Sequence, residues 1–215
     1  MTELLFIRHG ETDWNREQRF QGQIDVPLNA MGQAQAQRLA ARLAGERFDA
    51  FYSSDLLRAM QTAAPLATAW GATPVAVTGL REQRFGVLEG LDVPTIQRLH
   101  PELWQRWLEQ RADEALPGGE SLRQFHTRVL STVRELAAEA AGQRLVLVTH
   151  GGVLDMLWRS AHDLALDGHR ACEIPNAGLN RLRWVKGDLL IDEWGDDAHL
   201  AGMDAQPDMR PIQEA

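Results

Sequence analysis

Two short runs, Leu4-Leu5-Phe6-Ile7 and Leu145-Val146-Leu147-Val148, contain no polar residue at all. A strand with one face in water alternates apolar and polar side chains. A strand that is apolar throughout must be covered on both faces, as in a parallel sheet sandwiched between helices. Both runs stop abruptly, at Arg8-His9-Gly10 and at Thr149-His150-Gly151-Gly152.

The segments between them fit such a sheet. Gly32 to Leu43 sets Ala36, Leu39, Ala40 and Leu43 at helical intervals. Asp49 to Tyr52 reads as a second strand. A helix carrying Leu57, Met60, Ala64 and Leu66 follows, with Ser53 or Ser54 as its expected cap and Pro65 as its expected bend or end. Thr73 to Val77 is a β-branched run, and residues 78–92 form a glycine-spotted loop. Thr95 to Arg111 is helical in pattern, divided by Pro101. Ser121 and Gln124 form a capping box for a helix reaching about Ala141, and a further helix carries Val153, Leu154, Leu157 and Trp158. Asn180 to Val185 and Leu189 to Trp194 read as a β-hairpin turning at Lys186-Gly187-Asp188.

Strands alternating with helices predict one α/β domain over 1–202. Its mostly parallel central sheet is flanked by helices on both faces and ends in a C-terminal β-hairpin. Residues 203–215 are expected to form a loose polar tail.

The chain has 215 residues, with 22 basic and 30 acidic side chains and a net charge of −8. That balance argues against nucleic acid or an anionic membrane as partner. It leaves room for a small anionic substrate in a locally positive pocket. Cys172 is the single cysteine, so an intramolecular disulfide and a cysteine-based zinc site are excluded and a cytoplasmic location is expected. The first residues lack the pattern of a signal peptide, and no apolar run approaches the length of a membrane span. Oligomeric state is not legible.

Ligands of open α/β sheets bind at the carboxyl ends of the strands. A lone histidine there is ordinarily a hydrogen-bonded turn residue. Two in matching contexts, one preceded by Arg8, point to chemistry if their strands are neighbours. His100, His126, His162, His169 and His199 have no such setting. Arg58 and Glu82, each taken alone, read as surface residues.

Together these segments resemble the histidine phosphatase superfamily, the phosphoglycerate-mutase-like group. Arg8-His9-Gly10-Glu11-Thr12 with Asn15, Gln21-Gly22, Asp25, Pro27-Leu28 and Gly32 resembles its first block. Tyr52 to Ala63 resembles the second, Leu80 to Gly90 the acid-bearing block, and Thr149-His150-Gly151-Gly152 the last. Pro175-Asn176-Ala177-Gly178-Leu179 precedes the hairpin in the same manner. The blocks span about residues 4–200.

The resemblance implies roles. His9 is the expected nucleophile, phosphorylated in the reaction. Arg8, Arg58 and His150 hold the phosphoryl oxygens, and Glu82 is the general acid and base. Asn15 and Gln21 line the pocket, and the backbone at Gly22 and Gly151 donates N–H groups. The chemistry is consistent. Charge in phosphoryl transfer spreads over three equatorial oxygens, which guanidinium forks suit. A neutral imidazole can attack phosphorus, and a carboxylic acid can protonate the leaving alkoxide. No metal or other cofactor is called for, and the sequence carries no H-E-x-x-H, P-loop or G-x-G-x-x-G motif.

Two departures from cofactor-dependent mutases favour hydrolysis. Val93 stands where they carry a lysine, and only Arg106 stands where they carry paired arginines. The expected activity is a metal-independent phosphomonoesterase acting on a small phosphorylated metabolite. Mutase activity is the alternative, and a non-catalytic phosphate-binding protein is a third reading. Residues 91–120 are the expected lid and specificity segment. Whether Trp104 and Trp107 in it line the pocket or pack the core is open at this stage.

Overall fold

The two apolar runs lie side by side at the centre of the sheet. A computed structural model describes residues 1–170 and 172–206. Strand β1 (Thr2–Arg8) pairs in parallel with β4 (Arg144–Thr149), which pairs in parallel with β2 (Ala50–Ser53). β3 (Val75–Ala76) adds to β2, again in parallel. On the other side β5 (Leu179–Val185) runs antiparallel to β1, and β6 (Asp188–Asp196) closes the hairpin. The order is β3-β2-β4-β1-β5-β6.

Alternation along β1 and β4 divides the core in two. Leu4, Phe6, Leu145 and Leu147 face α6 (Leu122–Glu139) and α7 (Gly151–Ala161), through Phe125, Val129, Val133, Val153 and Leu154. Leu5, Ile7, Val146 and Val148 face α2 (Ala30–Leu43) and α3 (Leu57–Trp70), through Leu39, Leu43, Ala59, Ala63 and Leu66. Each fully buried aliphatic side chain of this kind contributes about 1.5–3 kcal/mol. A one-turn α1 (Asp13–Arg16), braced by a Thr12/Asn15 capping box, sits in the polar stretch after β1. A third cluster packs Phe20 and Leu88 under α4 (Val93–Leu99) and α5 (Pro101–Glu109), which break apart at His100 before Pro101.

Three local expectations need correction. Neither Ser53 nor Ser54 caps α3; Leu56 is the N-cap, without a side-chain bond of its own. Asp25 supplies the missing acceptor from another loop, taking the Leu57 N–H at 2.8 Å. Pro65 does not end α3, which continues to Trp70 and stops at the left-handed Gly71. Burial of Ala59, Thr62, Ala63 and Leu66 on the sheet carries the helix past the missing N–H. The run Thr73 to Val77 forms only a two-residue edge strand, because β2 offers it just Tyr52 and Ser53 as partners. Of the expected tail, residues 207–215 lie outside the described residues; Gln206 is bonded to both backbone groups of Asn176.

Asp25→Ala is expected to lower stability by about 1 kcal/mol, read as a shift of the urea midpoint at constant m-value.

Candidate active site

Successive parallel strands deliver their next residues to one edge of the sheet. β1 leads into His9, β4 into His150, β2 into Ser54 and the first turn of α3, and β3 into the loop that holds Glu82. The register Arg8↔Thr149 puts the two histidines on adjacent strands. Their rings lie 5.2 Å apart between centroids.

His9 Nδ1 lies 2.7 Å from the Gly10 carbonyl. A carbonyl only accepts, so Nδ1 carries the proton and Nε2 keeps its lone pair. His150 binds the Ser54 hydroxyl through Nε2 at 2.8 Å. Burial, reinforced by Arg58, holds both imidazoles well below the usual 6.5. Both are therefore neutral at pH 7.

A histidine kept neutral by folding is protonated more readily in the unfolded chain. Its stabilising effect is complete above pH 6.5 and is lost as pH falls from there toward the depressed folded value. Half-buried His126 and His199 shift in the same direction. Stability is thus expected to fall between pH 6.5 and 5.5, by up to about 1.4 kcal/mol per pH unit for each fully depressed histidine. Urea denaturation at several pH values checks this, and a flat profile contradicts it.

The guanidinium groups of Arg8 and Arg58 line the same cleft and are almost wholly buried. Arg8 Nη1 donates to the Ile174 carbonyl. Arg58 donates to the carbonyls of Ile24 at 2.9 Å and Gly22 at 2.8 Å. Both Nε–H groups are buried without a partner. Burial, with Arg170 nearby, pushes Arg8 down to about 9, and burial pushes Arg58 down to about 10. An anion in the cleft relieves both strains.

Glu82 accepts from Gly152 N–H at 3.0 Å and from Gln83 N–H at 2.8 Å. Its loop is clasped from α6 by Arg128, which donates to the carbonyls of Gly79, Arg81 and Glu82. The glycines beside the two histidines serve close approach rather than backbone freedom. None of Gly10, Gly151 and Gly152 has a positive φ. A Cβ on Gly10 would lie 2.7 Å from the Gly32 carbonyl, and one on Gly152 would overlap Glu82 Oε1.

The remaining expected residues also reach this cleft, which encloses about 210 Å³. Asn15 is buried; its Oδ1 accepts from Thr12 N–H, and its amide nitrogen has no described protein partner. Gln21 lines the cleft with Oε1 unpartnered. Gly22 contributes its carbonyl to Arg58, and at its φ of +49° a Cβ would overlap Glu89 Oε1. Gly151 opens α7, whose first N–H groups have no helical acceptor, so the helix end favours an anion. Trp104 and Trp107 line the cleft and also pack the third cluster, stacked at 5.0 Å. The two readings of these tryptophans are therefore one arrangement.

Several residues were not legible beforehand. Ser54 looked like a helix cap but orients His150. Asn176, inside a familiar block, donates to the His9 carbonyl at 3.0 Å. Arg128, Arg159 and Arg170 lie on segments whose local pattern marks nothing. Among the described residues no three His, Cys, Asp or Glu side chains converge as a metal site.

The chain is 38% identical over 202 residues to phosphoglycerate mutase-like protein 4 of Arabidopsis thaliana, covering 92% of this chain and 86% of that protein. It is 36% identical to an Arabidopsis thaliana metal-independent phosphoserine phosphatase, covering 94% of this chain and 85% of the other. The fold superposes on Bacillus stearothermophilus YhfR with a TM-score of 0.85 at 29% identity, covering 93% of this chain and all of that one. A family model matches residues 4–197, from within β1 to the end of β6 and through every strand end that faces the cleft, and the chain accordingly belongs to the histidine phosphatase superfamily, branch 1.

Proposed function

We propose that the protein hydrolyses a small phosphomonoester through a phosphohistidine on His9, without a metal. The observation that carries this reading is the His9 Nδ1 bond to the Gly10 carbonyl. It leaves an unprotonated Nε2 beside guanidinium donors that lack a full set of acceptors.

In the first step His9 Nε2 attacks phosphorus and the ester P–O bond breaks. Glu82 gives its proton to the departing alkoxide. Arg8, Arg58 and His150 hold the three phosphoryl oxygens, supported by Asn15, Gln21 and the N-terminus of α7. In the second step water attacks the phosphohistidine and passes a proton to Glu82. The P–N bond breaks, returning neutral His9 and inorganic phosphate. Cys172 plays no part: burial, with Asp155, pushes its thiol up to about 12. A reducing cytoplasm suits a chain with this one free thiol.

The phosphoserine phosphatase relative supports hydrolysis, whereas the mutase-like relative keeps phosphoryl transfer between phosphoglycerates as the second reading. Two positions weigh against the mutase. Val93 presents an apolar side chain to the cleft. Arg106 turns away to the Ala115 carbonyl at 3.0 Å. The test is a panel of phosphometabolites, including 3-phosphoglycerate with and without 2,3-bisphosphoglycerate. Phosphate release independent of the bisphosphate and undiminished by EDTA is expected. Isomerisation that requires the bisphosphate supports the mutase, and loss of activity in EDTA overturns the metal-free mechanism.

A further inference from the structure

We propose that Arg170 determines specificity by binding a carboxylate on the alcohol portion of the substrate. The inference rests on the phosphomonoesterase reading and names its substrate class: phosphorylated small organic acids.

Arg170 lies between α7 and β5 and lines the cleft beside the phosphoryl site. A Cβ on Gly151 would be 3.3 Å from Arg8 Nε and 3.4 Å from Arg170 Nη2. The two guanidinium groups are thus neighbours on one wall, and Arg170 depresses the basicity of Arg8. Like charges held this close call for an anion between or beside them. In the proposed mechanism Arg8, Arg58 and His150 hold the three phosphoryl oxygens, which leaves the charge of Arg170 over. Among the described residues Arg170 enters no ion pair, and its Nε–H is buried without a partner.

The loop holding Arg170 is anchored. Arg159, buried in α7, donates to the carbonyls of Ala165, Asp167, Gly168 and His169. It also pairs with Asp155 at 3.1 Å. Asp155 lines the cleft too, but its Oδ2 is bound to Arg159, and among the described residues neither of its oxygens is within ion-pair distance of Arg170. Arg8 and Arg170 both line this cleft, so a substrate whose phosphoryl group is held by Arg8 lies beside Arg170. A carboxylate two or three bonds from the ester oxygen therefore comes to rest at the wall rather than in bulk water, where a charge-assisted bond to Arg170 is strong.

3-Phosphoglycerate and glycerol 3-phosphate form a matched pair, the same carbon skeleton with a carboxylate replaced by a hydroxymethyl group. The wild-type protein is expected to prefer the acid in kcat/KM by about 30-fold, since the site leaves a charged donor unpaired with the ester that lacks a carboxylate. Arg170→Met is expected to collapse that ratio toward one, chiefly by raising KM for the acid. Arg170→Lys is expected to restore part of the ratio. Equal losses on both esters, or no preference in the wild type, overturn the proposal. Failure of the wild type to hydrolyse even p-nitrophenyl phosphate overturns the phosphomonoesterase reading itself.

Discussion

His9→Ala is expected to lower kcat for p-nitrophenyl phosphate by on the order of 10⁴-fold or more, equivalent to about 5.4 kcal/mol of barrier. No acid-labile phosphate should remain on the quenched variant. The expectation rests on which nitrogen is free. His9 Nδ1 is committed to Gly10, so its lone pair sits on Nε2. His150 is the competing nucleophile, 5.2 Å away, but its Nε2 is taken by Ser54 and its Nδ1 is buried. His150→Ala is therefore expected to slow turnover while still trapping label on His9. Label persisting in His9→Ala and vanishing in His150→Ala would reverse the assignment. A thermal melt of each variant separates lost chemistry from lost fold.

Glu82→Gln is expected to slow hydrolysis of alkyl phosphates by about 10²–10⁴-fold and that of p-nitrophenyl phosphate far less. An alkoxide needs a proton to leave, whereas p-nitrophenolate leaves without one. Gln is nearly isosteric, and its side-chain carbonyl can still accept from Gly152 N–H, as Glu82 does at 3.0 Å. The substitution thus removes the proton and keeps the Gly152 bond, while its amide nitrogen replaces the oxygen that accepts from Gln83 N–H. Arg128 holds that loop by three carbonyls regardless of the side chain at 82. Equal losses across leaving groups would assign Glu82 a positional role instead.

The unequal legibility of these residues has a physical basis. His9 and His150 could be found from local pattern, because each closes an apolar run whose burial on both faces is written in its composition. Arg58 and Glu82 could not. One sits in a helix turn and the other in a glycine-bearing loop, settings that are usually solvent-facing, and only the resemblance singled them out. The structure explains the difference. Arg58 is wholly buried because the carbonyls of Gly22 and Ile24 come across from another loop to meet it. The same reason accounts for the α3 cap, where Asp25 does from a distance what Ser53 or Ser54 was expected to do locally.

The apolar runs, their abrupt ends and the alternation of segments determined a parallel sheet, its helical cover and the edge where chemistry collects. These follow from periodicity and burial, which act over a few residues. The side chains that tune the cleft were decided by tertiary structure alone. Arg128 clasps the Glu82 loop, Arg159 anchors the loop of Arg170, and Trp107 stacks on Trp104 at the cleft wall. Each depends on hydrogen-bond donors or ring faces meeting partners from other segments. That meeting is fixed only once the chain has closed on itself, so no local pattern announces it.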